Sequence, residues 1–533
     1  MRLGTFLKLC AISGALMLNC INATETQEIR QPAVAGAFYP ADPKELEKMV
    51  DDLLARAQVP EIKEPVLAVV SPHAGYPYSG PVAAYSYAAL KGRKFARVVV
   101  ISPSHFEGFS FASVYEGDTY ATPLGSIPVD KVFAAQLAEK NPLIKLSTRG
   151  HGQVEGRGEH SLEVELPFLQ RTLDNFKLVP IVMGEQSYET SRALGVALAK
   201  LIQGGAPPSP QGFDTLIVAS SDLSHYHPYD DAVRLDHKVL KAIEEWDYLN
   251  MSQNFDRQTW EACGGGPIVA AMIAAERLGA NRALVLRYAN SGDVTGDKSR
   301  VVGYGSVVLI KDRAERSSKA SEWKLSQQDR DELMRIAKRS VETVVREGKL
   351  YHCSTRSEAL IQERGAFVTL RKKGQLRGCI GYIAPLKPLC LTVRDVAAAA
   401  AVQDPRFPPV SVTELGELEY EISVLSPLRR VSDIKQIKVG QHGLVMKNGG
   451  REGLLLPQVP TEEGWDRKTF LEQTCVKAGL PGSAWQDKDT DIFQFKALVF
   501  GERRTAEPVS FPEPDTRRRP DLPGQQAPDL RHP

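Results

Sequence analysis

Residues 69–80 read Val69-Val70-Ser71-Pro72-His73-Ala74-Gly75-Tyr76-Pro77-Tyr78-Ser79-Gly80, and they follow a hydrophobic run that begins at Val66. This pattern is typical of a buried strand that gives way to a loop carrying a functional side chain. His73 would then project from a strand end, which is where open α/β sheets bind their ligands. A single histidine is more often structural, so the prediction depends on what else the chain places nearby.

The chain around this stretch alternates short apolar runs with helical periodicity. Strands are predicted at residues 66–70, 97–101, 178–182, 215–219, 283–288 and 306–310, and helices at residues 43–57, 191–202, 230–245 and 267–278. Such alternation predicts an α/β domain whose helices cover a largely parallel sheet. We assign this domain to residues 30–311 and interpret the polar residues 312–324 as a linker.

A second domain is predicted at residues 325–502. Ser326 and Asp329 form an approximate capping box at the start of a helix. Strand-like runs follow at residues 366–371, 418–425 and 453–456, with helices near residues 391–402 and 467–479, and this order indicates an α+β fold. Residues 503–533 are dense in Pro, Asp and Arg and hold few apolar residues, so we expect a disordered tail.

The N-terminal residues have the pattern of a secretory signal peptide. Arg2 and Lys8 precede an apolar run, and Ile21 and Ala23 suit positions −3 and −1 of a cleavage site. Residues 1–23 are therefore predicted to be removed after Ala23 and the chain to be exported to the periplasm. Cys20 offers the less favoured alternative of a lipoprotein anchor. No later segment is apolar over the about 18 residues that a transmembrane helix requires.

Charge and cysteine content narrow the possible partners. The 66 basic and 65 acidic residues almost cancel, so we expect neither nucleic acid nor an anionic membrane as the main partner. Of the 7 cysteines, Cys10 and Cys20 fall in the signal peptide. The odd number that remains suggests at least one free or metal-bound thiol, and Cys263 is the obvious candidate.

Polar, metal-capable side chains follow three of the predicted strands. His73 and His105 follow the first two, and Asp222 and His225 follow the strand predicted at 215–219. Because parallel strands end at the same edge of a sheet, we expect these side chains to converge there.

Cys263 precedes three glycines, Gly264 to Gly266, at the start of a predicted helix. Imidazole and thiolate together suit iron, copper or zinc better than calcium or magnesium. We expect the glycines to leave room for a ligand and the helix N-terminus to lower the pKa of the thiol. The simpler interpretation of Cys263 is that it acts as a small buried apolar residue.

Other polar residues in these motifs have simpler interpretations. His151, His227 and His237 are interpreted as surface or structural residues. Glu163 closes the motif Glu159-His160-Ser161-Leu162-Glu163. It is either a charge on a helix face or a partner that orients a histidine.

Five ordered motifs resemble the Memo family, protein B of the AmmeMemoRadiSam system. They are Pro72-His73-Ala74-Gly75-Tyr76, Pro103-Ser104-His105, Glu159-His160-Ser161-Leu162-Glu163, Ser220-Ser221-Asp222-Leu223-Ser224-His225 and Cys263-Gly264-Gly265-Gly266-Pro267. The resemblance covers residues 30–311 and implies a fold like that of the class III extradiol dioxygenases. It also implies a metal site formed by His73, His105 and Cys263, with Asp222 and His225 in the same pocket. The dioxygenases themselves have a carboxylate as metal ligand where this chain has a thiol. The resemblance therefore does not imply that this chain cleaves rings.

Residues 325–502 resemble the AMMECR1 domain, protein A of the same system. The motifs that carry this resemblance are Gly365-Ala366-Phe367-Val368-Thr369-Leu370, Leu376-Arg377-Gly378-Cys379-Ile380-Gly381, Asp404-Pro405-Arg406-Phe407-Pro408 and Leu454-Leu455-Leu456-Pro457-Gln458-Val459. Cys379 is a candidate reactive thiol aided by basic residues at 371–373 or 377. The alternative is a small residue needed in a tight loop, with Asp404 fixing a turn.

From these observations we form the hypothesis that the protein is a metal-dependent, redox-type enzyme or accessory enzyme. His73, His105 and Cys263 would bind Fe(II) or copper, and Asp222 and His225 would handle protons or orient a ligand. The resemblance implies a radical SAM partner from the same system and an unknown small molecule or peptide as substrate, which the AMMECR1-like domain would recognise or present. The alternatives are a protein that binds metal or peptide without turnover and, less favoured, a zinc hydrolase.

Overall fold

The computed structural model describes residues 28–312 and 325–502, except residues 155, 206–211, 354, 356 and 384–386. The predicted signal peptide, the predicted disordered tail and all of the predicted linker except Asp312 lie outside these described residues. None of the described helices combines the length and the apolar character that crossing a lipid bilayer requires. The described chain is a mixture of α and β structure.

The first domain contains 14 of the described strands and nine of the described helices. The strands are β1 (Ile29–Arg30), β2 (Val66–Ser71), β3 (Arg97–Pro103), β4 (Ala112–Val114), β5 (Thr119–Thr122), β6 (Gly125–Pro128), β7 (Ile144–Leu146), β8 (Gln153–Val154), β9 (Arg157–Gly158), β10 (Lys177–Met183), β11 (Thr215–Ser220), β12 (His225–His227), β13 (Arg282–Asn290) and β14 (Val301–Ile310). The helices are α1 (Pro43–Arg56), α2 (Tyr76–Ala88), α3 (Lys131–Ala138), α4 (Leu166–Thr172), α5 (Tyr188–Gly204), α6 (Tyr229–Glu245), α7 (Tyr248–Asp256), α8 (Gly265–Arg277) and α9 (Ser291–Thr295).

Nine of these described strands form the central sheet. Its order is β12-β14-β2-β11-β3-β10-β4-β7, and β13 pairs with β14. Strands β2, β11, β3 and β10 are parallel to one another, whereas β14 pairs antiparallel with β2 and β4 pairs antiparallel with β10. The prediction of a largely parallel sheet therefore holds for the four central strands, and β4 and β7 form a further parallel pair at one edge. The strands predicted at 283–288 and 306–310 pair antiparallel with each other.

The central strands are mostly apolar because both faces of the sheet are covered. In β3, Val99 and Ile101 pack into one hydrophobic cluster, which includes α5 and α8. The alternating residues Val98 and Val100 pack into a second cluster on the opposite face. Side chains of a strand alternate between faces, so a strand buried on both sides is a continuous hydrophobic run. This is why the sequence signal for these strands is strong.

Helix α2 begins directly after the His73 loop and is absent from the sequence prediction. Pro77 lies in its first turn, where the missing N–H costs nothing, and Pro81 lies inside the helix. A Cβ at Gly80 would lie 2.9 Å from Leu53 Cδ1, so glycine permits the close contact with α1. These Pro and Gly residues resemble a loop in sequence although tertiary packing makes the segment helical.

The second domain contains two four-stranded sheets within its described residues. Its strands are β15 (Ala366–Lys372), β16 (Gln375–Tyr382), β17 (Leu418–Leu425), β18 (Arg429–Arg430), β19 (Gly443–Asn448), β20 (Arg451–Leu455), β21 (Asp491–Phe495) and β22 (Ala497–Gly501), and its helices are α10 (Gln327–Glu347), α11 (Leu389–Val402), α12 (Val459–Glu462) and α13 (Arg467–Lys477). The sheet orders are β16-β15-β17-β22 and β18-β21-β19-β20. The capping box predicted at Ser326 and Asp329 is confirmed at the start of α10.

The two domains share one hydrophobic core. The cluster that contains α5 and α8 also includes Leu425, Val445, Leu456, Phe493 and Phe495 from the second domain. Removing this apolar surface from water favours the association of the two domains. The hydrophobic core is therefore continuous across the domain boundary that the sequence predicts.

Asp491 joins the two domains electrostatically. Its carboxylate accepts hydrogen bonds from Arg192 in α5, from Arg277 in α8 at 3.0 Å and from Arg430 in β18 at 3.3 Å. The Asp491 side chain is only 3% exposed. Burial opposes its ionisation, but the three guanidinium groups outweigh burial and lower the pKa of Asp491 below its usual value.

We predict that Asp491→Asn destabilises the protein by about 3–5 kcal/mol at pH 7, because the substitution leaves buried guanidinium groups without their counter-charge. The lowered pKa means that this stabilisation is complete above the unfolded-state pKa of about 4 and is lost as the pH falls through the folded-state value. Urea unfolding of both proteins from pH 3 to pH 8 measures the difference. Asp489→Asn, at an exposed position two residues before Asp491, is the control. Equal stability of wild type and Asp491→Asn at pH 7 would contradict the proposed contribution.

Candidate metal centre

Three polar side chains follow the central strands at the same spacing. His73 lies two residues after the end of β2 at Ser71, and His105 lies two residues after the end of β3 at Pro103. Asp222 lies two residues after the end of β11 at Ser220. These strands are parallel neighbours, with β11 between β2 and β3, so their ends reach the same edge of the sheet.

The candidate ligand atoms form two groups that share His73. Nitrogen atoms of His73, His105 and His160 lie within 4.8 Å of one another, and so do ligand atoms of His73, Asp222 and Cys263. Nε2 of His73 lies 3.1 Å from Sγ of Cys263. The predicted ligands are thus gathered around His73, but His105 and Cys263 fall in different groups. That His73, His105 and Cys263 form one ligand set stays a prediction.

Ser220 determines which nitrogen of His73 faces the site. The Ser220 hydroxyl lies 2.7 Å from Glu165 Oε1 and 2.6 Å from the Ser161 carbonyl oxygen, and the carbonyl oxygen can only accept its proton. The hydroxyl oxygen therefore accepts the Nδ1–H of His73 at 2.7 Å. This leaves the lone pair of His73 on Nε2, toward Cys263. Burial holds the pKa of His73 well below its usual value, so the imidazole is neutral, as metal binding requires.

Glu159 holds His105 in a similar way. Its Oε1 lies 3.0 Å from Nδ1 of His105, and its Oε2 accepts the backbone N–H of His105 at 2.6 Å. Burial opposes the ionisation of Glu159, but the hydrogen bonds and charge of His105 outweigh it and lower the pKa of Glu159 to about 2. A carboxylate on Nδ1 leaves Nε2 of His105 as the ligand atom and makes it more basic.

Asp222 contacts both His73 and Cys263. Its Oδ1 accepts the backbone N–H of His73 at 2.9 Å, and its own backbone N–H donates to Cys263 Sγ at 3.2 Å. Asp222 is buried, and burial raises its pKa to about 7. A carboxyl group with this pKa can hold or release a proton near neutral pH, which is the property that general acid or base chemistry needs.

Two expectations about Cys263 are wrong. Burial raises the pKa of the Cys263 thiol well above its usual value, whereas its place at a helix N-terminus predicted a lower pKa. The following glycines serve close packing instead of leaving room for a ligand. A Cβ at Gly264 would collide with the Ser220 carbonyl oxygen, and one at Gly266 would lie 2.7 Å from Gln186 Cβ.

His225 lies beside the cluster, but it belongs to neither ligand group of the described residues. Its charge contributes to the lowered pKa of His73, and burial lowers its own pKa. Its backbone N–H donates to Glu261 at 3.3 Å. The structure therefore places His225 near the ligands without a direct hydrogen bond to Asp222 among the described contacts.

Glu163 has neither of the two roles that the sequence suggested. It is fully buried and bonds to Arg30, to the Tyr39 hydroxyl and to the backbone N–H of Ala33 at 2.7 Å. The histidine partner in this motif is Glu159. Sequence reasoning also missed His160, although it is adjacent to Glu159 in the motif and its ring centroid lies 4.6 Å from that of His105.

The three histidines interpreted as surface or structural residues are His151, His227 and His237, and the structure agrees with this interpretation. His151 is buried and contacts Tyr120 and the Ser113 carbonyl oxygen. His227 pairs with Glu261 at 2.8 Å, and His237 is exposed.

The described cysteines are Cys263, Cys353, Cys379, Cys390 and Cys475, and all are free. Cys379 lies in β16 rather than in a loop, and its backbone N–H donates to Asp404 at 2.8 Å. Burial raises the pKa of its thiol, which does not favour reactivity. Four basic residues were proposed to aid Cys379, but each of them pairs with a glutamate instead. These residues are Arg371, Lys372, Lys373 and Arg377.

Glu165 gives a pH-dependent prediction. It is fully buried behind Ser220, and burial raises its pKa to about 7 from 4.5. An acid whose folded-state pKa is raised destabilises the folded state as the pH rises from the unfolded-state to the folded-state value. We therefore expect the stability of wild type relative to Glu165→Gln to fall between pH 4.5 and about 7, by up to about 3 kcal/mol.

Chemical unfolding at several pH values checks this expectation. The control is Glu61→Gln, at a side chain that is 77% exposed, whose difference from wild type should not vary with pH in this range. A difference between wild type and Glu165→Gln that is constant from pH 4.5 to pH 7 would refute the prediction.

Comparison with known proteins identifies both domains. A family model described as Memo-like protein matches residues 30–308, and a model described as AMMECR1 matches residues 334–500. A MEMO1 family protein of Methanopyrus kandleri is 38% identical over 290 residues, which cover 52% of this chain and 98% of that protein. A MEMO1 family protein of Methanosarcina mazei is 40% identical over 283 residues, which cover 53% of this chain and 99% of that protein.

Among solved structures, an uncharacterised protein of Pyrococcus horikoshii is 41% identical, with a TM-score of 0.31 over 32% of this chain and 89% of that one. The Memo model covers more than half of the 533 residues, and the MEMO1 relatives are matched over almost their whole length. The chain therefore belongs to the Memo family, and its Memo domain is followed by an AMMECR1 domain.

Proposed function

We propose that the Memo domain binds a redox-active metal ion, Fe(II) or copper, through His73, His105 and Cys263. The observation that carries this proposal is the position of His73, which belongs to both groups of candidate ligands. Neutral imidazoles and a thiol are donors that iron, copper and zinc all accept, whereas calcium and magnesium prefer oxygen. His160 is a further donor within reach of His73 and His105.

Several features support a metal centre whose ligands are oriented by the surrounding protein. Ser220 and Glu159 each occupy the Nδ1 side of a histidine, so both Nε2 atoms are available as ligands. Outer partners of this kind orient imidazole ligands in metal sites. A bound cation would also favour the thiolate of Cys263, whose charge burial otherwise opposes.

The proposed reaction class is redox chemistry, with the protein as an enzyme or an accessory enzyme. A bound iron or copper ion would supply Lewis acidity and electron transfer. Asp222, whose pKa burial raises, would hold or release a proton at its carboxyl group beside His73. His225 would orient a ligand at the rim of the same cluster.

Three wider proposals rest on the family resemblance. We propose a fold related to the class III extradiol dioxygenases, and a radical SAM protein of the AmmeMemoRadiSam system as partner. The AMMECR1 domain would recognise or present the small molecule or peptide on which both act, and the shared core of the two domains supports a joint role. We also propose export to the periplasm.

We predict that His73→Ala abolishes stoichiometric metal binding, because it removes the residue common to both groups of candidate ligands. Elemental analysis of protein purified from its own compartment measures both the metal content and the identity of the metal. His237→Ala removes an exposed histidine and should retain the metal of wild type. Undiminished metal in His73→Ala would remove the site assignment, and zinc in wild type would favour the hydrolase alternative.

Turnover is tested on the same proteins. Anaerobically metal-loaded wild type should consume oxygen in the presence of a catechol or peptide substrate, and His73→Ala should not. An absence of oxygen consumption across such a panel would favour a protein that binds metal or peptide without turnover.

We predict that Glu159→Gln weakens metal binding about 10–100-fold without removing the site. The amide retains the shape of the carboxylate, but it lacks the charge that makes the His105 imidazole more basic. Competition with a chelator measures the dissociation constant. Glu261→Gln, beside His225 and His227, is the control and should change the affinity less than about threefold. Wild-type affinity in Glu159→Gln would contradict the proposed support of His105 by the Glu159 charge.

A further inference from the structure

A cleft of about 760 Å³ lies between the two domains. Lys200 of α5 and Arg277 of α8 line it from the Memo domain, and Arg429 of β18 lines it from the AMMECR1 domain. Trp246, at the end of α6, also contributes to its wall. Small-molecule sites typically enclose about 300–1,000 Å³ and often lie between domains, so the size and the place of this cleft suit a ligand.

The cleft carries an excess of positive charge. Two carboxylates, Glu276 and Asp491, face five cationic side chains in its wall or directly behind it, namely Arg192, Lys200, Arg277, Arg429 and Arg430. Burial and the neighbouring Arg430 lower the pKa of the Arg277 guanidinium, although Asp491 contacts it. The protein therefore holds like charges close together beside a space large enough for an anion.

Three polar atoms in the cleft wall have no hydrogen-bond partner among the described residues. They are the indole Nε1 of Trp246, the Nε of Arg277 and the Oε1 of Gln494. Trp246 is only 6% exposed. Two of these atoms, the indole Nε1 and the Arg277 Nε, are donors, and a buried donor without an acceptor costs about 1–3 kcal/mol, so they favour a ligand that supplies an acceptor.

We propose that this cleft binds a small molecule that carries a phosphate group. The planar guanidinium groups of Arg277, Arg429 and Arg430 match the oxygens of a phosphate, and the ammonium of Lys200 adds a point charge. A phosphate dianion also balances the excess charge better than a single carboxylate does. The site is separate from the candidate metal ligands, and it would couple the two domains because both contribute cations to it.

Isothermal titration calorimetry with inorganic phosphate and pyrophosphate tests the proposal. We expect saturable binding with one site per chain that weakens as the salt concentration rises. The double variant Lys200→Gln/Arg429→Gln should bind about a hundredfold more weakly, because each substitution removes one charge-assisted contact. It leaves the contacts of Asp491 in place. Binding should persist in His73→Ala, which separates this site from the proposed metal centre.

The control Lys48→Gln/Lys63→Gln makes the same charge change at side chains that are 81% and 78% exposed, and it should bind within twofold of wild type. Phosphate should also change the indole fluorescence of wild type, and Trp246→Phe should lose this change. Three results would each overturn the proposal: an absence of saturable phosphate binding, equal losses in both double variants, or equally tight binding of succinate.

Discussion

The parallel pairing of β2, β11 and β3 is the constraint on which the candidate site depends. It brings three strand ends to one edge of the sheet, and His73, Asp222 and His105 each follow at a distance of two residues. Side chains from positions far apart in the sequence therefore meet without a long loop. Because both faces of these strands are covered by hydrophobic clusters, the edge is rigid and the side chains have little freedom to move.

The same burial means that the polar groups of the site need hydrogen-bond partners within the protein. His73 and Asp222 are removed from water, and each is supported by hydrogen bonds from neighbouring elements. These hydrogen bonds continue beyond the site, since Ser220 connects His73 to the buried Glu165. Polar groups in a core are costly unless their hydrogen bonds are satisfied, so this arrangement stabilises one orientation of each ring.

The sequence predicted the parts of the fold and the site that have a local signal. Continuous apolar runs predicted the central strands, and polar residues after them predicted that His73, His105 and Asp222 converge. The motif at Glu159 was visible, but which carboxylate contacts His105 depends on how the chain turns before α4. Helix α2 was missed because Pro and Gly residues in its sequence resemble a loop, and packing against α1 overrides that local preference. The cluster around Asp491 has no sequence signal at all, because its residues are distant in the chain and meet only when the domains associate.

Helix α8 links the candidate metal centre to the contact between the two domains. It begins at Gly265, directly after the Cys263 loop, and ends at Arg277, which bonds to Asp491 of the other domain. Its 13 residues span about 20 Å, and a buried helix of this length moves as one body. Helix α8 is therefore a mechanical connection between the AMMECR1 domain and the thiol beside His73. A shift of α8 at Arg277 would also shift its first residue, Gly265, which lies two residues after Cys263.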